Sequence, residues 1–421
     1  MSLTVDVQTR PEDVLVLRQL TTQLREIAGS DQNLQRKERW LRHNALWPGE
    51  PMILAEIGGL GRNDELPVEP MLRCSEPWAR DMERGFRSNI YSFETVKDDW
   101  VIEPFVQTNW RVQASDYGVQ STRHDVSEGG HLGSYTWEPP LKNLQDDLKK
   151  LHPRSFSVDR EGTLAWKEHL ESILGDILPV RLRGSHWWTT GMTIVAIDLV
   201  GLEQLMYYMV DDPQGLHRLM QFLHDDHLAF AQWLEKEHLL SLNNQNDYIG
   251  SGSIGYTTEL PRPDMGGHVR MQDTWCLSES QETVGVGPEM FAQFIFPYQK
   301  SLVAHFGMSY YGCCEPVHLR WHIIKELANL RKVSVSPWCD QAFMARELGG
   351  QYVYCRKPSP ALVSTPHFDE TAIREDLRNT IAQTRKHGCI LELVMKDVHT
   401  VQHQPERLAR WVQIAREEAK E

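Results

Sequence analysis

From about residue 100 onward the chain alternates short apolar runs with amphipathic segments, and this alternation restricts its fold more than any other feature. Apolar runs cover residues 100–106, 178–182, 239–242, 303–311, 333–335, 352–354 and 390–395. Pro179 marks the second as a strand start or edge, because proline cannot donate to a ladder. Helix start signals lie between the runs. Asp212-Pro213 opens a segment with Leu216, Leu219, Leu223, Phe230 and Leu234 on one face. Pro288 opens another, Asp369 caps a third with Ile373, Leu377 and Ile381, and Pro405 opens the last. Strands alternating with helices imply a parallel sheet with crossover helices. Roughly six to eight such units predict a closed (β/α)8 barrel over residues 96–421.

The first 95 residues predict a helical extension. Val14, Leu17, Leu20, Leu24 and Ile27 line one helix face, and Gly29 ends it. A second helix is expected over residues 33–42, and residues 47–70 are Pro- and Gly-rich and loop-like. Residues 251–287 show little periodicity and read as one long insertion that shapes an active site. His217, His224 and His227 recur at helix spacing and read as a solvated face.

With 44 basic against 58 acidic side chains the net charge is -14, so neither nucleic acid nor an anionic membrane is the expected partner. No apolar leader opens the chain, no run reaches the length of a membrane span, and no GxGxxG or P-loop follows a strand. A cytoplasmic protein is expected, with a homodimer left open.

Seven cysteines in a chain of 421 residues are an odd number that does not form a disulfide framework. Cys313 and Cys314 follow one strand run, Cys339 and Asp340 the next, Cys355 a third, and Cys389 sits at the start of the last. Thiolates converging from separate strands suit zinc, and Cys313, Cys314, Cys339 and Cys389 are the candidate ligands. Small apolar filler is the competing reading of each cysteine.

Several blocks resemble the uroporphyrinogen decarboxylase superfamily. They are Gly201-Leu202-Glu203-Gln204-Leu205-Met206, Asp211-Asp212-Pro213, the run into Asp247, Gly287-Pro288 with Phe291, Phe296-Pro297-Tyr298, and the strand ends at residues 310–316 and 334–340. The resemblance spans residues 100–415 and is tightest over 185–340. It implies a barrel and one of two activities. One is a cofactor-free decarboxylase, but the Arg-Gln-Ala-Gly-Arg block of that branch is absent. The other is a zinc-dependent methyltransferase, of the kind that includes cobalamin-independent methionine synthase and the coenzyme M methyltransferases. That branch pairs a His-x-Cys with a distant cysteine, and Cys313 and Cys389 have a similar spacing. The histidine is missing, with Tyr311 or Gly312 in its place; Glu315, His318 or Cys339 would have to substitute.

The expected function is therefore transfer of a methyl group between a small methylated substrate and a corrinoid protein, tetrahydrofolate or a thiol. The alternatives are the decarboxylase and a barrel that binds a small ligand without turnover. Asp247, Glu315, Asp340 and Tyr311 are the catalytic candidates. Glu103, His186, Trp187, Trp275, Trp338 and His318 are the substrate-binding ones, the aromatic faces suiting a methoxy-aromatic ring or a quaternary amine. His124, His131 and Trp137 lie in a glycine-containing loop. The triplet Asp397-Val398-His399 is close to a corrinoid-ligand loop but lacks its glycine, so any corrinoid would arrive on a partner protein.

Overall fold

The computed structural model describes residues 8–125 and 135–420; His131 lies outside them. The architecture is mixed α/β. We number its eight parallel-paired strands in chain order: β1 Met52–Ala55, β2 Val106–Thr108, β3 Val180–Leu182, β4 Trp275–Ser278, β5 Met308–Tyr311, β6 Leu330–Val335, β7 Val353–Arg356 and β8 Ile390–Met395. Six of them form one parallel sheet in the order β1-β8-β7-β6-β5-β4. β2 and β3 form a separate parallel pair. The sheet strands are buried along almost their whole length, which is why they read as unbroken apolar runs.

The backbone ladder does not run continuously around all eight strands. Side chains hold the free edges instead. Along β1, Asp99 Oδ2 accepts from Ile53 N at 2.7 Å and Asp98 Oδ2 from Ala55 N at 3.0 Å. Along β4, the Asn243 amide brackets Trp275, accepting from its N–H at 2.8 Å and donating to its carbonyl at 3.0 Å. Asn244 and Asn246 tie the same segment to Leu260 and Val101. Buried peptide groups need partners, and these polar side chains supply them where no strand does.

Most of the predicted helices form. Pro11–Ala28, Asp31–Asn44, Pro213–Lys236, Glu370–Lys386 and Glu406–Lys420 are helical. Asp212 and Asp369 cap theirs, accepting from Gly215 N and from Thr371 and Ala372 N. Among the described residues no single helix is long and apolar enough to cross a membrane.

Five expectations change. β1 lies inside the segment read as a helical extension, and it pairs with β8 at the far end of the chain. β4 lies inside residues 251–287, so that stretch is not one insertion. Residues 239–242 are not a strand. Cys355 stands within β7 and not at its end. The three helix histidines pack inward: His224 bonds Ser301 Oγ at 3.0 Å, His217 bonds the Tyr298 hydroxyl at 3.0 Å, and His227 bonds the Leu223 carbonyl at 2.7 Å. They are the contact face toward helix Phe296–Val303 and the core, because His spacing follows whichever side of the helix is covered.

Candidate active site at the carboxyl edge of the sheet

A polar residue follows nearly every sheet strand. Glu56 follows β1, Glu279 follows β4, Cys313 lies two residues past β5, Ser336 follows β6, Lys357 follows β7 and Lys396 follows β8. A parallel sheet gathers such residues on one edge, where chemistry is usually placed in this kind of fold.

The thiols form the centre. Cys313 is buried and Cys314 exposed, and their sulfurs lie 3.7 Å apart. The Lys396 ammonium sits 3.6 Å from Cys313 Sγ, 3.3 Å from Ser251 Oγ and 3.0 Å from Asp397 Oδ2. Asp397 in turn lies 4.0 Å from Cys314 Sγ. The Cys313 hydrogen bond draws the Cys314 pKa down; burial opposes this and Lys396 assists it. The same bond, with burial, keeps the proton on Cys313. Burial works against the Lys396 charge, but the Cys313 sulfur and Asp397 outweigh it and hold the ammonium above its ordinary range. The arrangement favours one thiolate, on the exposed sulfur.

Two buried acids support this loop. Glu315 accepts from Cys313 N at 2.8 Å and from Ser280 N at 3.0 Å. Burial and the nearby Glu315 push Glu279 up to about 9, so it holds a proton at neutral pH. Arg320 fastens the loop after β4, donating to Ser280 Oγ at 3.1 Å and Val286 O at 2.6 Å.

A cavity of about 1030 Å³ opens at the ends of β1 and β8, and Asp397, 4.0 Å from Cys314 Sγ, stands in its wall. Glu56, Asp98, Trp100, Tyr248, Gly252, Asp397 and His399 are among its walls. Two glycines make this shape possible. A Cβ on Gly252, at φ +85°, would lie 2.7 Å from Glu56 Oε1, and one on Gly59 would lie 2.5 Å from the Val398 carbonyl.

The structure gathers some predicted residues here and disperses others. Cys313, Cys314 and Glu315 are together. Tyr311 lies beneath them, its hydroxyl bonded to Gln299 Oε1 at 3.0 Å and near Ser280 Oγ at 3.2 Å, so it supports the loop from behind. Cys339 is buried, 3.9 Å from the Glu315 carbonyl and 3.6 Å from Ser336 Oγ. Cys389 precedes β8 and donates to the Ala345 carbonyl at 3.2 Å. A strand of that length places it about 20 Å from the edge that holds Lys396. Asp340 is an exposed helix cap that accepts from Phe343 N, and its own N–H meets His318 Nδ1 at 3.3 Å. Trp338 is 74% exposed on the surface.

The remaining candidates make contacts with other parts of the fold. Trp275 is buried in β4 and donates to the Gly255 carbonyl. Asp247 pairs with Arg183, with Asp247 Oδ1 3.0 Å from Nε, and accepts from Gln245 N. Glu103 accepts from the Tyr256 hydroxyl and Asn246 N. His186 bonds the Leu239 carbonyl, and burial lowers its pKa. Trp187 packs edge-on against Phe230 and Phe306. His124 and Trp137 sit on a hairpin of strands Thr122–Asp125 and Tyr135–Glu138. Sequence reasoning missed Glu56, Trp100, Tyr248, Glu279 and Lys396. For Glu56, Glu279 and Lys396 the position directly after an apolar run was the available signal.

Zinc needs four donors around one point. The other side chains that reach the Cys313–Cys314 pair are a cation, Lys396, a hydroxyl, Ser251, and a single carboxylate, Asp397. Among the described residues no group of three or more His, Cys, Asp and Glu side chains is placed to hold a metal ion. The residues present do not fit a closed zinc centre.

No protein-family model matches the chain, and no curated protein matches it. Among solved structures it is similar to a methyltransferase from Methanosarcina mazei, with a TM-score of 0.50 and 12% identity over 92% of this chain and 99% of that one. At this identity the likeness is one of fold.

Proposed function

We infer that the chain is a methyltransferase whose chemistry lies on the carboxyl edge of its sheet. The observation that carries this reading is the thiol pair held against the Lys396 ammonium and joined through Asp397 to the wall of a large cavity. The fold shared with a methyltransferase supports it. Eight parallel strands support a (β/α)8 barrel in which Asp98, Asp99 and Asn243 close the seams.

A cation beside sulfur lowers the cost of a thiolate, which is the contribution a metal ion makes in other thiol-alkylating sites. Here Lys396 supplies that charge. The Cys314 thiolate attacks the methyl carbon of a substrate in the cavity. A sulfur–carbon bond forms, and the bond from carbon to the leaving atom breaks with its electron pair staying on that atom. The resulting thioether passes its methyl to a second acceptor, a corrinoid on a partner protein, a folate or a thiol, and the returning thiolate is again stabilised by Lys396. Glu315 positions the loop through Cys313 N.

The test is peptide mass spectrometry after incubation with methylated substrates. The expected result is a methyl adduct on Cys314 that disappears when cob(I)alamin is added, with no change in the presence of a chelator. Methyl transfer that chelator abolishes, or transfer with no adduct on Cys314, contradicts the mechanism.

A further inference from the structure

We propose that the cavity binds a small organic cation, a quaternary ammonium or methyl sulfonium, with its charge held at Glu56 and with Trp100 and Tyr248 in the same cavity wall. The identification of this cation as the methyl donor rests on the function inferred above; the binding site itself does not.

Glu56 carries the argument. It follows β1 directly, lines the cavity half-buried, and burial raises its pKa. Among the described residues none hydrogen-bonds to its carboxylate. A half-buried carboxylate without a hydrogen-bond partner, facing a cavity, is open to pairing with a cation that enters it. Gly252 leaves open the space beside Glu56 Oε1 that any side chain would fill.

The nearest positive groups are already engaged. Lys396 and Lys357 both act on Glu56, yet Lys396 bonds Asp397, Ser251 and Cys313, and Lys357 bonds Cys355. At the cavity wall, Arg84 is taken by Glu69 at 2.8 Å and Asp81 at 2.6 Å. Arg62 stands on the exposed rim. Asp98, also in the wall, adds a second carboxyl near the floor, its oxygens turned to Ala55 and Trp100 N–H groups.

The aromatic pair completes a cation site. The Trp100 indole N–H is held by Asn89 Oδ1 at 3.0 Å, which fixes the ring in the wall, and Tyr248, 46% exposed, lines the same cavity. Ring faces attract cations, and a carboxylate beneath them selects against neutral ligands of the same shape. The chemistry agrees. A methyl on positively charged nitrogen or sulfur leaves behind a neutral amine or sulfide. The thiolate forms the new bond to carbon, the old bond's electron pair stays on nitrogen or sulfur, and no proton or Lewis acid is needed.

The experiment is titration calorimetry of the full chain with choline and with 3,3-dimethylbutan-1-ol, its uncharged carbon isostere. Choline is expected to bind about tenfold or more tightly than the isostere. Glu56→Gln should bring the two affinities together while leaving the thermal midpoint near that of the parent. Trp100→Leu should weaken choline more than the isostere. Equal binding of the two probes, no binding of either, or an unchanged preference in E56Q overturns the proposal. Because methylation of Cys314 needs no acceptor, choline binding with no methyl adduct on Cys314 from any methylated substrate would sink the function and leave this site standing. Transfer from an aryl methyl ether without choline binding would do the reverse.

Discussion

Lys332→Met is expected to destabilise the protein by about 3–5 kcal/mol, the usual cost of stripping one partner from a buried ion pair. Lys332 and Glu392 are both fully buried in the middle of the sheet, 3.0 Å apart. The ammonium also donates to Ser253 Oγ at 2.7 Å and the Ile254 carbonyl at 3.1 Å. Without it, Glu392 keeps His43 at 3.2 Å, the Cys355 thiol and the more distant Lys357 charge, and burial lowers the His43 pKa so that the ring resists taking a charge. Burial alone would raise Glu392, but Lys332 and His43 hold it well below the ordinary carboxylate value. A depressed folded pKa gives stability that is full above the unfolded pKa and is lost as pH falls through the folded one. The wild-type contribution is therefore intact at neutral pH and fades only in strong acid. Urea unfolding measures the loss, and the double variant Lys332→Met/Glu392→Met should recover most of it. A single variant as stable as the parent would mean the pair is not ionised.

The second large effect concerns thiol chemistry. Lys396→Met removes the charge that Cys313 and Cys314 share, so the Cys314 pKa should rise and its thiolate fraction at neutral pH should fall. Each unit of rise removes about tenfold of thiolate below the pKa. Iodoacetamide labelling of Cys314, followed by peptide mass spectrometry across pH, should shift its half-maximum upward and slow about tenfold or more at neutral pH. Lys396→Arg should restore part of the rate. Unchanged labelling would show that Lys396 does not govern the thiol.

The alternation of apolar runs made β5 to β8 legible, because strands buried on both faces leave continuous apolar text. The capping aspartates at 212 and 369 were legible because a cap is a local signal. β1 was hidden because its four apolar residues, Met52–Ala55, lie in Pro- and Gly-rich text, and its partner is more than three hundred residues away. β4 was hidden in the same way between glycines. The thiol pair could be read from the sequence; Lys396 and Glu56 could not, since their meaning depends on β8 pairing with β1. The spacing from Cys313 to Cys389 suggested a shared site, but six strand residues then separate Cys389 from the edge where Cys313 lies. Trp275 and Trp338 were expected at the site from their aromatic faces and their positions on the stretch read as an insertion and at a strand end. One is core and the other surface, while Trp100 and Tyr248 line the cavity.

Methyl transfer to cob(I)alamin, compared between Cys314→Ser and Cys389→Ser, tests the location of the chemistry most directly. The account predicts a loss of about a hundredfold or more for Cys314→Ser, as expected when a covalent nucleophile is removed, and a rate near that of the parent for Cys389→Ser. Equal losses in the two variants, or full activity in Cys314→Ser, would contradict it.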